Sequence, residues 1–188
     1  MLHQTTKPII FVGESLQSTA CAIEMAAAVA GGEDKLAHHP FIINYVNTIS
    51  SFNHNKESVQ RLLYAAERNI PTIYSPGNAR GISAPITAAG AIATRSAGCL
   101  AGLVLSQLKR EGSPFIRSNP DAPSLDLRTM VSQYVMPDGG PLAWDLSHHQ
   151  QIPTFGYGGC SDSKVFDAQA AADAVLTLFS HTIGGCNL

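Results

Sequence analysis

Short apolar runs alternate along the chain with longer, alanine-rich stretches of helical periodicity. The segment from Pro8 to Gly13 is apolar without a break, as expected of a strand covered on both faces. A helix is predicted from Ser15 to Ala30, with Ser15 or Ser18 as its cap and Gly31-Gly32 ending it. Phe41 to Val46 is the next strand. Lys56 to Arg68 reads as an amphipathic helix with Val59, Leu62, Leu63 and Ala66 on one face. Ile70 to Ser75 is a third strand, with its proline near the start, where a missing N–H is tolerated.

A loop rich in glycine and proline, Pro76 to Pro85, leads into a long helix from about Ile86 to Arg110. Gly112 stops that helix and Pro114 opens a fourth strand, Phe115 to Ser118. A second loop, Asn119 to Pro137, precedes a helix near Pro141 to Gln150. The fifth strand is Pro153 to Tyr157, and the last helix runs from Phe166 to Ile183 before Gly184-Gly185.

Strands thus begin near residues 9, 41, 72, 114 and 153. Parallel strands need crossovers of this length, and such crossovers are right-handed. Two architectures fit, a doubly wound open sheet and a segment of a (β/α)8 barrel. A whole barrel usually takes about 250 residues, and this chain has 188, so the barrel reading is short of about three β-α units.

Composition narrows the function more than the fold. Hydrophobic residues make up 45% of the chain and charged residues 14%, which supplies a core and leaves little for disorder. The net charge of −2 gives no basic field for nucleic acid or an anionic membrane. No apolar run approaches the roughly 20 residues that span a bilayer, and residues 1–7 are too polar for a signal peptide. The expectation is a cytoplasmic protein. Cysteines at 21, 99, 160 and 186 lack C-x-x-C spacing and read as reduced thiols. The histidine doublets His38-His39 and His148-His149 cannot clamp a metal as pairs, because neighbours point apart, so no metal site is expected.

In either architecture ligands bind at the carboxyl ends of the strands. The densest such segment follows the fifth strand, from Gly158 to Ala170. Gly158 and Gly159 allow a ligand close to the backbone. Cys160, Ser161, Asp162, Lys164 and Gln169 then place a thiol, a hydroxyl, a carboxylate, an amine and an amide within a dozen residues. The plainer reading is a loop and a capped helix, with Asp162 or Ser163 as the cap and Asp167 in the first turn. In a second cluster, Ser124 to Thr129, Arg128 is suited to grip a carboxylate and Asp126 to orient it; a local Asp-Arg pair is the plainer alternative. The third, Gly77 to Thr87 with Gly81 and Ser83, lacks the P-loop ending and reads as a loop pressed against something flat or a tight approach to the long helix. The small residues of that helix, from Ala88 to Gly102, imply close approach to a helix, a sheet or another subunit.

These clusters, in this order, resemble the trimethylamine methyltransferase family, which includes betaine:corrinoid methyltransferases. The resemblance rests on TTKPIIF at 5–11, MAAAVAGGEDKL at 25–36, PF at 40–41 and AAERNIPTIYSPGNARGISAPITAAGAIA at 65–93. It continues with LAGLVLSQLKREGSPFI at 100–116, LDLRT at 125–129 and GGCSDSKVFDAQAA at 158–171. It implies a (β/α)8 barrel, of which this chain carries about five β-α units in one partial domain over residues 1–188.

The resemblance further implies methyl transfer from a quaternary or tertiary amine to the Co(I) centre of a corrinoid protein. No cofactor is then held tightly by this chain; the corrinoid arrives with its partner. Such chemistry must align the N-methyl group with cobalt and exclude water. Tyr45, Tyr74 and Tyr157, near strand ends, are candidates to face an ammonium, and Arg128 and Lys164 to meet a carboxylate. Asp126, Ser161 and Gln169 complete the substrate candidates, and Gly81, Ser83, Gly158 and Gly159 are candidates to face the corrinoid. Cys160, Asp162 and Lys164 are the candidate catalytic groups. Trimethylamine members carry pyrrolysine and betaine-type members do not; this chain has none, the resemblance places that position within or beside Gly158 to Ser161, and a cysteine or glycine there favours the non-pyrrolysine branch. The alternatives are a non-catalytic relative that binds a small ligand or self-associates through open strand edges, as a homo-oligomer, and a doubly wound binding module.

Overall fold

The computed structural model describes residues 2, 4–119, 123–135 and 140–187. The elements follow in the order β1 (Ile9–Val12), α1 (Leu16–Ala30), α2 (Glu33–His38), β2 (Ile42–Thr48), α3 (Lys56–Glu67), β3 (Thr72–Pro76) and α4 (Ala88–Lys109). Then come β4 (Phe115–Ser118), β5 (Ser124–Asp126), β6 (Val131–Gln133), α5 (Gly140–Gln150), β7 (Thr154–Phe155) and α6 (Ala168–Ile183).

Five strands form one sheet in the order β1-β2-β3-β4-β7, and β5-β6 is a separate antiparallel hairpin. The described pairings within the five-stranded sheet are parallel. The order follows the chain without reversal. A doubly wound sheet reverses at its switch point, whereas a barrel is wound strand after strand. The strand order therefore favours the barrel type over the open sheet, with β1 and β7 the outermost strands among the described residues. The hairpin lies where only a loop was expected from sequence.

By its contacts the chain divides into two compact units, Met1–Pro76 with Cys99–Ile116, and Gly77–Gly98 with Arg117–Leu188. In the first, Ile23, Ala26, Ala27, Leu36, Ile42, Ala65 and Ile70 form the core. Ser15 caps α1 through a reciprocal bond with Ser18, and Gly31 ends it at φ 84°. The buried side of α3 is Ser58, Arg61, Leu62, Ala65 and Ala66, so Val59 and Leu63 sit to one side of the face expected for them. Helix α2 was not foreseen, because six residues carry too little periodicity to register.

Strand β1 departs from the expectation of two covered faces. Ile10 and Val12, level with Ile43 and Tyr45, are 40% and 66% exposed, so the face of β1 that carries these alternate side chains is left open among the described residues. Helix α4 is a second departure, being long and apolar enough by length and composition to cross a membrane. In the first unit it lies on the sheet instead. A Cβ at Gly102 would fall 2.3 Å from Cδ1 of Tyr74, and the Cys99 thiol donates to the Tyr74 carbonyl at 3.4 Å.

In the second unit Arg117 and Ser118 of β4 pair with Thr154 and Phe155 of β7. Arg117 is wholly buried; its guanidinium donates to the Ser96 hydroxyl at 2.7 Å and to the Gln150 side chain. Helix α6 is capped by Asp167, whose carboxylate accepts the Ala170 N–H at 2.9 Å. That corrects the expected cap, Asp162 or Ser163. Ser163 instead donates to the Asp167 carboxylate at 3.0 Å.

Candidate functional site

Within the second unit, the carboxyl end of β7 passes directly into Gly156-Tyr157-Gly158-Gly159. A side chain at Gly156 is excluded, since its Cβ would lie 2.1 Å from Cδ2 of His181. Gly159 takes φ 86°, a left-handed conformation natural to glycine. Tyr157 stands between them and is held from three sides. Its N–H donates to His181 Nε2 at 2.9 Å, and its carbonyl accepts the Cys160 N–H at 3.3 Å. Its hydroxyl accepts from Arg95 Nη2 at 2.7 Å.

Around that tyrosine is an aromatic cluster. Tyr134 meets the ring edge-on with centroids 6.4 Å apart, and Phe155 does so at 6.2 Å. The Tyr134 N–H donates to the Asp162 carboxylate at 3.2 Å. Burial, reinforced by Cys160, Asp162 and Tyr157, pushes the Tyr134 hydroxyl above its ordinary range. His181 Nδ1–H donates to the Thr177 carbonyl at 2.7 Å while its Nε2 accepts from Tyr157, so the ring is neutral. Burial depresses its pKa, against the weaker opposing effect of the Thr177 bond.

A groove of about 440 Å³ opens beside this cluster, lined among others by Tyr157, Gly158, Cys160, Leu178, His181 and Cys186. Burial raises the Cys160 thiol, which favours the neutral form over the nucleophilic thiolate. Thr177 ties the loop to α6, accepting the Gly159 N–H at 3.0 Å. Ser161 donates to Asp173 at 2.9 Å, and Gln169 reaches the same carboxylate at 3.4 Å. Lys164 is exposed. Tyr157, Gly158, Gly159, Cys160, Ser161 and Asp162 are thus brought together at one strand end, with Gln169 reached through Asp173.

The other candidates lie elsewhere. Arg128 and Asp126 pair with each other at 3.5 Å on the hairpin, with the arginine side chain 91% exposed. The backbone N–H of Arg128, first among several hydrogen bonds, holds the Asp126 carboxyl below its ordinary range. Gly81, at φ 79°, and Ser83 are exposed and close a turn, with Gly81 N–H bonded to the Ala84 carbonyl at 2.9 Å and the Ser83 hydroxyl accepting from Ala79. In the first unit Tyr45 is half-buried on β2, its carbonyl accepting from Arg61 at 2.7 Å. Tyr74 is completely buried: its hydroxyl donates to His54 Nδ1 at 2.6 Å, the two rings stack, and burial raises its pKa.

Arg95, Tyr134 and His181 escaped the sequence reading. An arginine amid the small residues of α4 was the available signal, since a lone charge there must find a polar partner. Among the described residues no cluster of three His, Cys, Asp or Glu side chains is arranged to hold a metal ion.

The described strands form a parallel α/β sheet of barrel order, with aromatic and polar groups gathered where β7 ends. The chain belongs to the trimethylamine methyltransferase (MTTB) family, which it matches over residues 1–188. It is 31% identical over 195 residues to the trimethylamine methyltransferase MttB of Desulfitobacterium hafniense (strain DSM 10664 / DCB-2), covering 100% of this chain and 38% of that protein. It is 27% identical over 169 residues to the glycine betaine methyltransferase of Desulfitobacterium hafniense (strain Y51), covering 88% and 35%. To the trimethylamine methyltransferase MttB of Methanosarcina thermophila it is 24% identical over 199 residues, covering 99% and 41%. The chain therefore spans roughly two fifths of the length of these curated relatives.

Proposed function

We propose that this chain is the part of a methyltransferase that binds a methylated amine at the carboxyl end of β7, in a protein that passes one methyl group to a Co(I) corrinoid carried by a partner protein. The observation that carries the reading is the family match across the whole chain. The aromatic cluster of Phe155, Tyr157 and Tyr134 beside the Asp162 carboxylate supports it. Ring faces and a nearby carboxylate are what a methylated ammonium seeks, since it has little or no hydrogen-bonding capacity of its own.

The substrate we favour is betaine-like. Cobalt supplies the nucleophile, and the residues of this chain bind and orient the amine and exclude water. Gly158 and Gly159 offer bare backbone beside the cluster, which suits the approach of a flat macrocycle. Cys160, Ser161, Asp162 and Lys164 are the groups nearest in sequence to that contact. Cys160, its thiol pKa raised by burial, lines the groove beside the cluster.

Calorimetry with glycine betaine, carnitine, proline betaine and trimethylamine, with methylation of a Co(I) corrinoid as second readout, tests the proposal. Binding of at least one amine is expected; flat titrations together with no methylation reject it. A second reading, a relative that self-associates without turnover, is favoured by the exposed Ile10 and Val12 of β1. Light scattering addresses it: a monomer at all concentrations excludes self-association.

A further inference from the structure

We propose that Arg95 is a positioning residue, whose guanidinium fixes the ring of Tyr157 in the orientation the ligand meets; its bearing on ligand affinity rests on the amine-binding reading above. Tyr157 is flanked by Gly156 on one side and Gly158-Gly159 on the other. Backbone of that kind scarcely restricts where a ring points. The restriction comes from other elements. Helix α6 holds the main chain through His181 at 2.9 Å, and α4 holds the tip of the ring through Arg95 at 2.7 Å.

Arg95 is itself aimed. It is 3% exposed, and its Nε and Nη2 donate to the Ser118 hydroxyl at 3.4 and 3.3 Å. On the same buried side of α4, Ala91 and Gly98, four residues before and three after Arg95, are small. A buried guanidinium is weak support for stability, and an apolar chain of the same length would pack as well. The shortest of its described bonds goes to a ring hydroxyl. Because the phenol oxygen accepts from Arg95, its own proton is directed elsewhere and can meet an acceptor on a ligand. A ring already ordered at both ends has less freedom to lose when ligand binds.

The test uses the full chain with ring-labelled tyrosines. Nuclear magnetic resonance assigns the Tyr157 signal as the one lost in Tyr157→Phe. Expected without any ligand, Arg95→Met moves Tyr157 to an averaged position and leaves Tyr74 unchanged, while Arg95→Lys, which keeps one donor, restores part of the shift. An unchanged Tyr157 signal in folded Arg95→Met overturns the proposal. If Arg95→Met does not fold, Arg95→Lys decides by the same signal: a Tyr157 shift supports the proposal and none overturns it.

With glycine betaine as probe, Arg95→Met and Tyr157→Phe are each expected to weaken binding by roughly three- to tenfold, the size of one pre-ordered side chain. The double variant is expected to bind no more weakly than either single one. Fully additive losses overturn the proposal. A wild-type chain that binds no methylated amine rejects the functional reading, and the ligand-free Tyr157 signal still decides whether Arg95 fixes the ring.

Discussion

In the first unit a hydrophobic core of Ile23, Ala26, Leu36, Ile42, Ala65 and Ile70, apolar side chains on helices and strands, packs by shape, although Ser58 and Arg61 are buried in the same unit. In the second, Arg95, Arg117, Ser118, Asn119 and Thr177 are buried, and hydrogen bonds between side chains and loop backbone define the arrangement. The first kind of core resists change through lost volume. The second resists through unsatisfied polar groups, and it specifies directions in space more sharply than apolar packing does. Each stabilising device suits its region: one holds strands in register, the other holds a tyrosine, a histidine and a carboxylate at a strand end.

The largest expected loss is that of Ile70→Ala. It leaves a void in a 1%-exposed position and is expected to cost about 2–5 kcal/mol, read from urea denaturation. Thr177→Val comes next. It keeps the volume but strands the Gly159 N–H, so about 1–3 kcal/mol is expected, with weaker ligand binding that Ile70→Ala does not share once folded.

A pH series sharpens the contrast further. The folded pKa of His181 lies below its ordinary 6.5, because burial favours the neutral ring. The unfolded chain therefore takes up that proton first as pH falls. The stability contributed by His181 is whole above 6.5 and declines below it. Between about pH 7.5 and about pH 5.5 the wild type should lose more stability than His181→Gln, measured as the shift in denaturation midpoint. Arg128→Ala is the smallest change. With its side chain 91% exposed, no measurable shift in midpoint is expected, and a fall in ligand affinity would show that the hairpin belongs to the site after all.

What sequence conveyed follows the same division. The strand at Phe115–Ser118, the helix ends at Gly31 and Ile183, and the β-α alternation were legible because period and punctuation act locally. The exposed face of β1 was not, since an apolar run does not record whether both of its faces are covered. Nor was the hairpin of β5 and β6, whose three-residue strands are too short for a pattern. At the site, Gly158 to Asp162 stood out by local density of chemistry. Arg95 lies 62 positions from Tyr157, and only the fold brings guanidinium and phenol together. Tyr74 looked equivalent to Tyr157 as a tyrosine near a strand end, but its side chain turns beneath α4, against Gly102. Alternation within the strand decides that, and a single sequence does not say which face the helix covers.

The proposed amine site lies at the carboxyl end of β7. The most direct measurement is a titration of the tyrosine-labelled chain with glycine betaine, following all five tyrosine ring signals. Saturable shifts of Tyr134 and Tyr157, with Tyr74 and Tyr64 unmoved, are expected. Saturable binding that leaves Tyr134 and Tyr157 unmoved would contradict the account.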